Sequence, residues 1–319
     1  MPPISVTPNV SIPDQVDWGD IKNKELVCKK LGLLSVTKIA SLNFQFKVSI
    51  CSLHIQVNST SPMPLHFTGL LTQNPRTDLT IDWYDCHQFN MESDEFENEA
   101  GQDTLFFNID EKDYIVQRDF VATKIAGHAT LISDHRIIDG IQNLWRALIP
   151  RILLKKQRFV FHCSAVQINN KEALLFMGPS GVGKSTIYKN SPQKSELHDD
   201  MNIVEFDFNR RPTVQGAELG SILIQENSPF AKKFLIRGIH FLEQADSNQL
   251  VELSSSDKVS LLIANMANYF WPTLNKEQVF QLMNFCHELS STVPISLLKN
   301  YPDLMVWQFL KKYYGPNTF

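Results

Sequence analysis

Residues 174–186 have the sequence LLFMGPSGVGKST. The first four residues are apolar and predict a buried strand. The next eight fit the pattern G-x-x-x-x-G-K-[ST], which is typical of a loop that binds nucleotide phosphates. Gly178, Gly181 and Gly183 allow the backbone to turn tightly and bring its N–H groups against phosphate oxygens. The segment therefore predicts a strand, a phosphate-binding loop and a helix in that order.

Two side chains at the end of this loop have the chemistry that a triphosphate requires. Lys184 places a positive charge near the β and γ phosphates, and the Ser185 hydroxyl can complete the coordination shell of Mg²⁺. We therefore expect the chain to bind Mg²⁺ with ATP or another nucleoside triphosphate; a glycine-rich turn without a ligand is the alternative. The residues predicted to hold the nucleotide are Gly178, Ser180, Gly181, Val182, Gly183, Lys184, Ser185 and Thr186.

Length and composition restrict the class of protein. A chain of 319 residues is too long for one small core, so we expect two domains or one large domain with an extension. The hydrophobic content of 43% and the charged content of 20% are typical of soluble globular proteins. A net charge of −4 gives no support for nucleic-acid binding.

The cysteines and the N-terminal sequence bear on the compartment. The five cysteines include no C-x-x-C pair, which argues against a disulfide framework and against a zinc site of recognisable type. Residues 1–18 contain prolines and acidic residues but no basic-then-apolar segment, so we expect no secretory signal. No run of 18 uncharged apolar residues predicts a transmembrane helix. A cytoplasmic protein is the simplest interpretation.

The N-terminal half has the pattern of short strands. Residues 44–57 alternate apolar and polar side chains. Further strands are expected at Leu79–Tyr84, Thr104–Ile109, Tyr114–Arg118 and Ala129–Ile132. The acidic stretch Glu92–Glu99 predicts an exposed loop. We therefore divide this half into an irregular, proline-rich lead over residues 1–20 and a strand-rich domain over residues 21–135.

The C-terminal half, residues 136–319, is expected to form the nucleotide-binding domain. An apolar stripe over 137–154 predicts a helix that Pro150 kinks or ends. Two strands, a turn at 169–171 and the strand before the glycine-rich loop should follow. The other elements predicted here are strands at Arg158–His162, Ala165–Ile168, Asn202–Phe206 and Leu235–Leu242, and helices at Ser256–Asn268 and Lys276–Leu289.

Acidic partners are needed beside a phosphate-binding loop. Asp199 and Asp200 lie 15 and 16 residues after Lys184, at the start of an apolar run. One carboxylate could hold Mg²⁺ and the other could accept a proton from an attacking hydroxyl. An exposed acidic turn before a strand is the alternative. His162, at a strand end, is either a catalytic or a packed histidine, and Cys163 is expected in the core.

Taken together, three motifs resemble the HPr kinase/phosphorylase family, and most of all its bacterial HPr kinase-like group. They are FHCSAV at 161–166, LFMGPSGVGKST at 175–186 and LHDD at 197–200, in the order and at about the distances of that family. The segment FLEQA at 241–245 is also similar to a late strand of the group. The resemblance covers roughly residues 140–310.

The resemblance implies an α/β (α+β) fold. It consists of a mixed sheet with helices, related to phosphoenolpyruvate carboxykinase, and here a smaller strand-rich domain precedes it. It also implies Mg²⁺-dependent phosphoryl transfer to a hydroxyl, typically that of serine. Carried over by position, Lys184 and the backbone amides of 178–186 hold the phosphates. Ser185 and Asp200 serve the metal.

The same resemblance implies the residues of proton transfer. Asp199 is the general base, and His162 assists the acceptor or the phosphate. The family kinases also carry a Glu-x-Arg-Gly signature that has no match here; Glu218 and Arg237 are the nearest candidates. The catalytic residues predicted for this chain are therefore Asp199, His162 and Lys184.

These observations favour a kinase that acts on a hydroxyl of a peptide, a small protein or a small molecule. A nucleotide-dependent regulatory or binding protein without phosphotransfer is the alternative. An ordinary phosphate-loop GTPase or ATPase motor is disfavoured, because residues 275–278, NKEQ, lack the aspartate of the N-K-x-D element.

The N-terminal half shows no chemical motif. It could recognise the acceptor, mediate homo-oligomerisation or act as a scaffold. We expect no nucleic-acid or membrane partner. Its scattered histidines are predicted to be structural, and Trp83 and Tyr84 are expected in the core. These histidines are His54, His66, His87 and His128.

Overall fold

The computed structural model of the chain is a mixed α/β structure. It describes residues 24–34, 37, 41–89, 105–109, 111–117, 119–136, 139–192, 197–219, 232–267, 269, 273–301 and 305–315. These residues contain fourteen strands and six α-helices. The chain divides into two compact units, residues 1–148 and 149–319, and each unit has its own seven-stranded sheet. The predicted lead at 1–20 and the predicted loop Glu92–Glu99 lie outside the described residues.

The first unit is built on a mixed sheet with strand order β1-β2-β3-β7-β6-β5-β4. Its elements are α1 (Lys24–Leu33), β1 (Phe44–Ile50), β2 (Leu53–Ser59), β3 (Leu79–Asp85), β4 (Leu105–Ile109), β5 (Lys112–Gln117), β6 (Phe120–Ile125) and β7 (His128–Ser133). The neighbours β2, β3 and β7 are parallel, whereas the other pairs are antiparallel. A short 3₁₀ helix, Cys86–Phe89, follows β3 directly.

The predicted strands of this unit are confirmed, with two differences. The alternating run at 44–57 is two strands, because Cys51 and Ser52 adopt positive φ angles of 54° and 61° and turn the chain into a hairpin. Strand β6 was not predicted. Its first four residues, Phe120–Thr123, are all buried, so the run lacks the alternation that marks a half-exposed strand.

The second unit has a mixed sheet with strand order β11-β10-β8-β9-β12-β14-β13. Its strands are β8 (Phe159–Gln167), β9 (Glu172–Met177), β10 (Met201–Phe206), β11 (Pro212–Gly216), β12 (Phe234–Gln244), β13 (Gln249–Glu252) and β14 (Ile295–Asn300). The neighbours β9, β12 and β14 are parallel; β8 and β10 continue the sheet in antiparallel fashion.

Five further helices complete the described chain. They are α2 (Asp139–Leu154), α3 (Lys184–Lys189), α4 (Ser255–Ala264), α5 (Lys276–Thr292) and α6 (Met305–Tyr314). The division between the two units falls inside α2, whereas the predicted boundary at 135/136 precedes it. Among the helices of the described residues, none is both long enough and apolar enough to cross a lipid bilayer.

Of the two roles predicted for Pro150, that of ending the helix is wrong, because α2 contains Pro150 and continues to the predicted end at Leu154. One further prediction for this half was wrong in detail. The strands expected at 158–162 and 165–168 are one strand, β8, because Ser164 is buried and donates a hydrogen bond from its hydroxyl to the backbone oxygen of Asp199. Strands β11, β13 and β14 and helix α6 were not predicted.

After Glu172, strand β9 is buried on both faces, which explains why residues 173–177 are all apolar. Leu175 and Met177 belong to the cluster that contains Phe159 and Phe285. The alternate residues Leu174 and Phe176 belong to a second cluster, which contains Ile187, Trp307 and Leu310. The end of β9, where the glycine-rich loop begins, is therefore held from both sides of the sheet.

A buried histidine connects three elements of the second unit. His240, in β12, contacts the hydroxyl of Ser296 in β14 through Nδ1 and the hydroxyl of Tyr314 in α6 through Nε2, each at 2.9 Å. The aromatic end of Tyr314 also lies against Gly238, where any Cβ would come within 2.1 Å of the phenolic oxygen. Burial lowers the pKa of His240 from 6.5 to about 3, so the His240 ring is neutral in the folded protein.

Stability should therefore fall on acidification. Between pH 6.5 and about 3, His240 binds a proton in the unfolded chain but not in the folded chain. Because the unfolded state therefore binds more protons, the free energy of unfolding decreases as the pH falls. From about pH 7.5 to about pH 5, we expect this group to lower the free energy of unfolding by about 2 kcal/mol. Urea unfolding of the wild type and of His240→Gln at both pH values measures this contribution. Equal pH dependence in the two proteins would contradict it.

Candidate functional site

The glycine-rich loop, residues 178–183, joins the end of β9 to the start of α3. Three of its glycines have positive φ angles: 143° at Gly178, 80° at Gly181 and 110° at Gly183. A side chain at Gly178 or Gly183 would strain the backbone in these conformations. The order of strand, loop and short helix is the one predicted from residues 174–186.

Lys184 lies inside the loop rather than in solvent. Its ammonium donates to the backbone oxygens of Gly178, at 2.7 Å, and Pro179, at 3.0 Å, and the residue is only 7% exposed. Burial lowers the pKa of Lys184, whereas the nearby Asp200 and Cys163 act to raise it. The charge is therefore partly desolvated, and its partners are weak neutral acceptors that an anion could replace.

Two amide side chains that were not predicted hold the loop. Asn265, just beyond α4, accepts the N–H of Gly178 on its Oδ1 at 3.0 Å, and its backbone oxygen accepts the N–H of His162 at 2.8 Å. Gln244, at the end of β12, donates to the backbone oxygen of Gly181 at 3.1 Å. Asn265 follows Gly178 by 87 positions, so no local sequence pattern indicates the contact.

The acidic pair is placed by backbone pairing with β8. The N–H of Cys163 donates to the backbone oxygen of Asp200 at 2.9 Å, and the N–H of Ala165 donates to that of His198 at 3.0 Å. The fully buried amide of Asn202 donates to the oxygens of Cys163 and His198, both at 2.8 Å, and accepts the N–H of His198 at 3.0 Å. The turn that carries both aspartates is thereby fixed against the strand that carries His162.

The two carboxylates have different surroundings. Asp200 Oδ1 lies 3.0 Å from His162 Nε2, and the side chains are 25% and 45% exposed. Asp200 also interacts electrostatically with Lys184. The structure therefore brings together three predicted residues, Asp200, His162 and Lys184, at one edge of the sheet.

Asp199, in contrast, lies against its own neighbours. Its Oδ1 is 3.4 Å from His198 Nδ1, and its side chain is only 10% exposed. Because His198 Nδ1 accepts the N–H of Asp200 at 3.0 Å, it has no proton to donate to this carboxylate. Asp199 also contributes, after burial, to the raised pKa of Tyr188. The more accessible member of the pair is thus Asp200.

The remaining predicted residues fall into two groups. Cys163 is a core residue, as expected, because burial raises the pKa of its thiol to about 12 and excludes a thiolate nucleophile. The side chains of Ser180, Ser185 and Thr186 are exposed. The Ser185 hydroxyl is thus accessible to a ligand, and Val182 packs partly into the cluster around Phe176.

A cavity of about 490 Å³ opens beside the start of the loop. Polar groups of His162, Gly178 and Asn265 line it together with apolar side chains. Those apolar residues are Met201, Phe241, Leu242, Leu261, Met266 and Leu297. The cavity gives His162 a space in which a small molecule or a side chain can lie.

Comparison of the chain with models of known protein families and with curated proteins gives no match to either.

Replacing Asn202 by alanine should destabilise the protein. The change leaves three buried backbone groups of Cys163 and His198 without this partner, so we expect a loss of about 2–4 kcal/mol in the free energy of unfolding. Asn209→Ala is the matched control, because Asn209 lies in an exposed turn where its backbone N–H bonds Asp207. Equal urea midpoints for the two variants would contradict this role of Asn202.

Proposed function

We propose that the chain is an HPr kinase-like enzyme that transfers the γ-phosphoryl group of ATP, with Mg²⁺, to a hydroxyl. The acceptor is a serine or another hydroxyl of a peptide, a small protein or a small molecule. The observation that carries the proposal is the contact of His162 with Asp200 beside the desolvated Lys184. A base, its partner and a cation next to a glycine-rich loop are the groups that phosphoryl transfer uses.

The loop and Lys184 supply the positive field for the phosphates. The ammonium exchanges the backbone oxygens of Gly178 and Pro179 for oxygens of the β and γ phosphates. Charge-assisted bonds to phosphate are stronger than bonds to neutral carbonyl groups, so this exchange is favourable. The positive charge then stabilises the charge that develops as the γ-phosphoryl group departs.

The chain also offers oxygen donors that suit Mg²⁺. The exposed Ser185 hydroxyl and the carboxylate of the acidic pair that does not act as the base would supply hard donors, which magnesium prefers. A bound Mg²⁺ ion would neutralise part of the negative charge of the phosphates.

The proton of the acceptor hydroxyl goes to a carboxylate. The acceptor oxygen forms a bond to the γ-phosphorus, the bond from that phosphorus to the bridging oxygen breaks, and ADP leaves. The resemblance assigns the base to Asp199, whereas the contact with His162 and the greater exposure favour Asp200. His162 would orient the carboxylate of Asp200 through this contact.

The cavity favours an organic acceptor over water. Its volume of about 490 Å³ far exceeds the roughly 30 Å³ that a water molecule occupies. Its apolar residues can bury carbon atoms while His162 and Asn265 meet polar ones. We also propose a cytoplasmic location, because Cys86, Cys163 and Cys286 are buried free thiols.

The decisive test is transfer of label from γ-labelled ATP. The full chain is incubated with Mg²⁺ and either free serine or a cell extract separated by size, and Lys184→Ala is the control. We expect label in one fraction and only with intact Lys184. Nucleotide binding without label above the control in any fraction would favour the alternative, a nucleotide-dependent regulatory protein.

The two carboxylates can be separated by matched variants. Asp200→Asn should lower kcat by about 100-fold or more, which is the usual cost of removing a general base, and Asp199→Asn should lower it less. Steady-state kinetics with the labelled acceptor measure both, and circular dichroism controls for folding. A larger loss in Asp199→Asn would overturn the assignment of the base to Asp200.

A further inference from the structure

The first unit has a second cluster of reactive side chains, at the carboxyl ends of β3 and β7. These strands are adjacent and parallel, with Asp85 opposite Ser133. Asp85 ends β3, and Cys86 and His87 follow it in the short 3₁₀ helix. His135 comes two residues after the end of β7. Ends of parallel strands meet at one edge of a sheet and commonly form ligand sites.

Three consecutive residues offer three kinds of donor atom. A carboxylate oxygen of Asp85, the sulfur of Cys86 and a ring nitrogen of His87 all lie within 4.8 Å of one another. Around a tetrahedral zinc ion, bonds of about 2.0–2.3 Å separate such atoms by about 3.3–3.8 Å. The donors therefore need to approach by only about 1 Å, which side-chain rotation can provide.

His135 is an independent indication of a ligand at this edge. Both of its ring nitrogens are buried, and neither has a hydrogen-bond partner among the residues that the structure describes. The ring packs on Trp83 at a centroid distance of 4.1 Å, and it lies close enough to Asp85 and His87 to interact with them electrostatically. Buried ring nitrogens without partners are costly, and a metal bond would satisfy one of them.

The surrounding residues would orient the donors. Asp134 Oδ2 lies 3.5 Å from His87 Nε2, and Arg136 holds the same carboxylate oxygen at 2.9 Å. A carboxylate behind a histidine is the usual support of a metal-bound imidazole, and it leaves Nδ1 for the metal. Asp85 is also held in place, because its backbone N–H donates to Thr60 Oγ1 at 3.1 Å.

We propose that Asp85, Cys86 and His87 bind one zinc ion, and that His135, whose ring nitrogens lie outside this group of mutually close donors, turns toward the ion as the fourth ligand. The set combines one sulfur, two nitrogens and one oxygen, which suits zinc and not Mg²⁺ or Ca²⁺. The carboxylate and the thiolate balance the two positive charges of the ion, while Arg136 balances Asp134. With four protein ligands the site is closed, so its role is to join the end of β3 to the end of β7.

This assignment differs from two sequence-based predictions. The sequence indicated no zinc site, and His87 was predicted to be structural. Known zinc patterns rely on paired cysteines or histidines at short fixed spacings. Here three ligands are consecutive, and the fourth, His135, is 48 positions beyond His87, so only the pairing of β3 with β7 brings them together.

Metal titration of the purified full-length chain tests the proposal. After treatment with a chelator, the protein is titrated with Zn²⁺ against a competing indicator and, separately, with Co²⁺ as a spectroscopic probe. We expect one equivalent of bound metal and a thiolate-to-cobalt charge-transfer band. Cys86→Ala and His87→Ala should each weaken zinc binding by at least about 10-fold. Cys286→Ala and His128→Ala are the matched controls and should bind as the wild type does.

Three results would overturn the site. They are binding of less than stoichiometric zinc, a cobalt spectrum without a thiolate band, and equal affinity in all four variants. The cobalt spectrum is measured on the wild type, so the outcome does not depend on the folding of a variant. His87 is partly exposed, and circular dichroism of His87→Ala verifies that its fold is retained.

Discussion

The buried amide of Asn202 is the interaction on which the site in the second unit depends. It satisfies backbone groups of Cys163 and His198 in a place from which water is excluded. Without this amide, the turn at 198–200 and strand β8 would each present an unpaired polar group. This amide and the backbone hydrogen bonds between β8 and the turn together set the positions of His162, Asp199 and Asp200, because β8 carries the first and the turn carries the other two.

Burial and charge are balanced at the glycine-rich loop. The Lys184 ammonium has lost part of its hydration and gains only backbone oxygens in return, with the Asp200 carboxylate nearby. A cation in that state interacts more strongly with an incoming anion than a hydrated one does. The contacts from Asn265 and Gln244 restrain the loop, so an anion that bound here would require little further ordering of the backbone.

Both sheets place their chemistry at the carboxyl ends of parallel strands. In the second unit, β9 ends at the glycine-rich loop, and β12 ends at Gln244, which bonds that loop. In the first unit, β3 and β7 end at the cluster of Asp85, Cys86 and His135. The antiparallel strands on each side extend the sheets and bury their cores. Parallel pairing thus collects side chains that are distant in sequence at a common edge.

The sequence by itself determined the features that depend on neighbouring residues. The apolar run before Gly178, the turn at the glycines and the start of a helix after them are local properties, so residues 174–186 were sufficient to predict them. Likewise, His162, Asp199 and Asp200 were identified from the three motifs as candidate site residues. Only the tertiary structure decided that Asp200 is the carboxylate next to His162, and that Asn265 and Gln244 hold the loop. These contacts join residues that are far apart in the chain and are brought together only by the pairing of strands. The sequence shows that a residue has an amide or a carboxylate, but it does not show which group that side chain contacts.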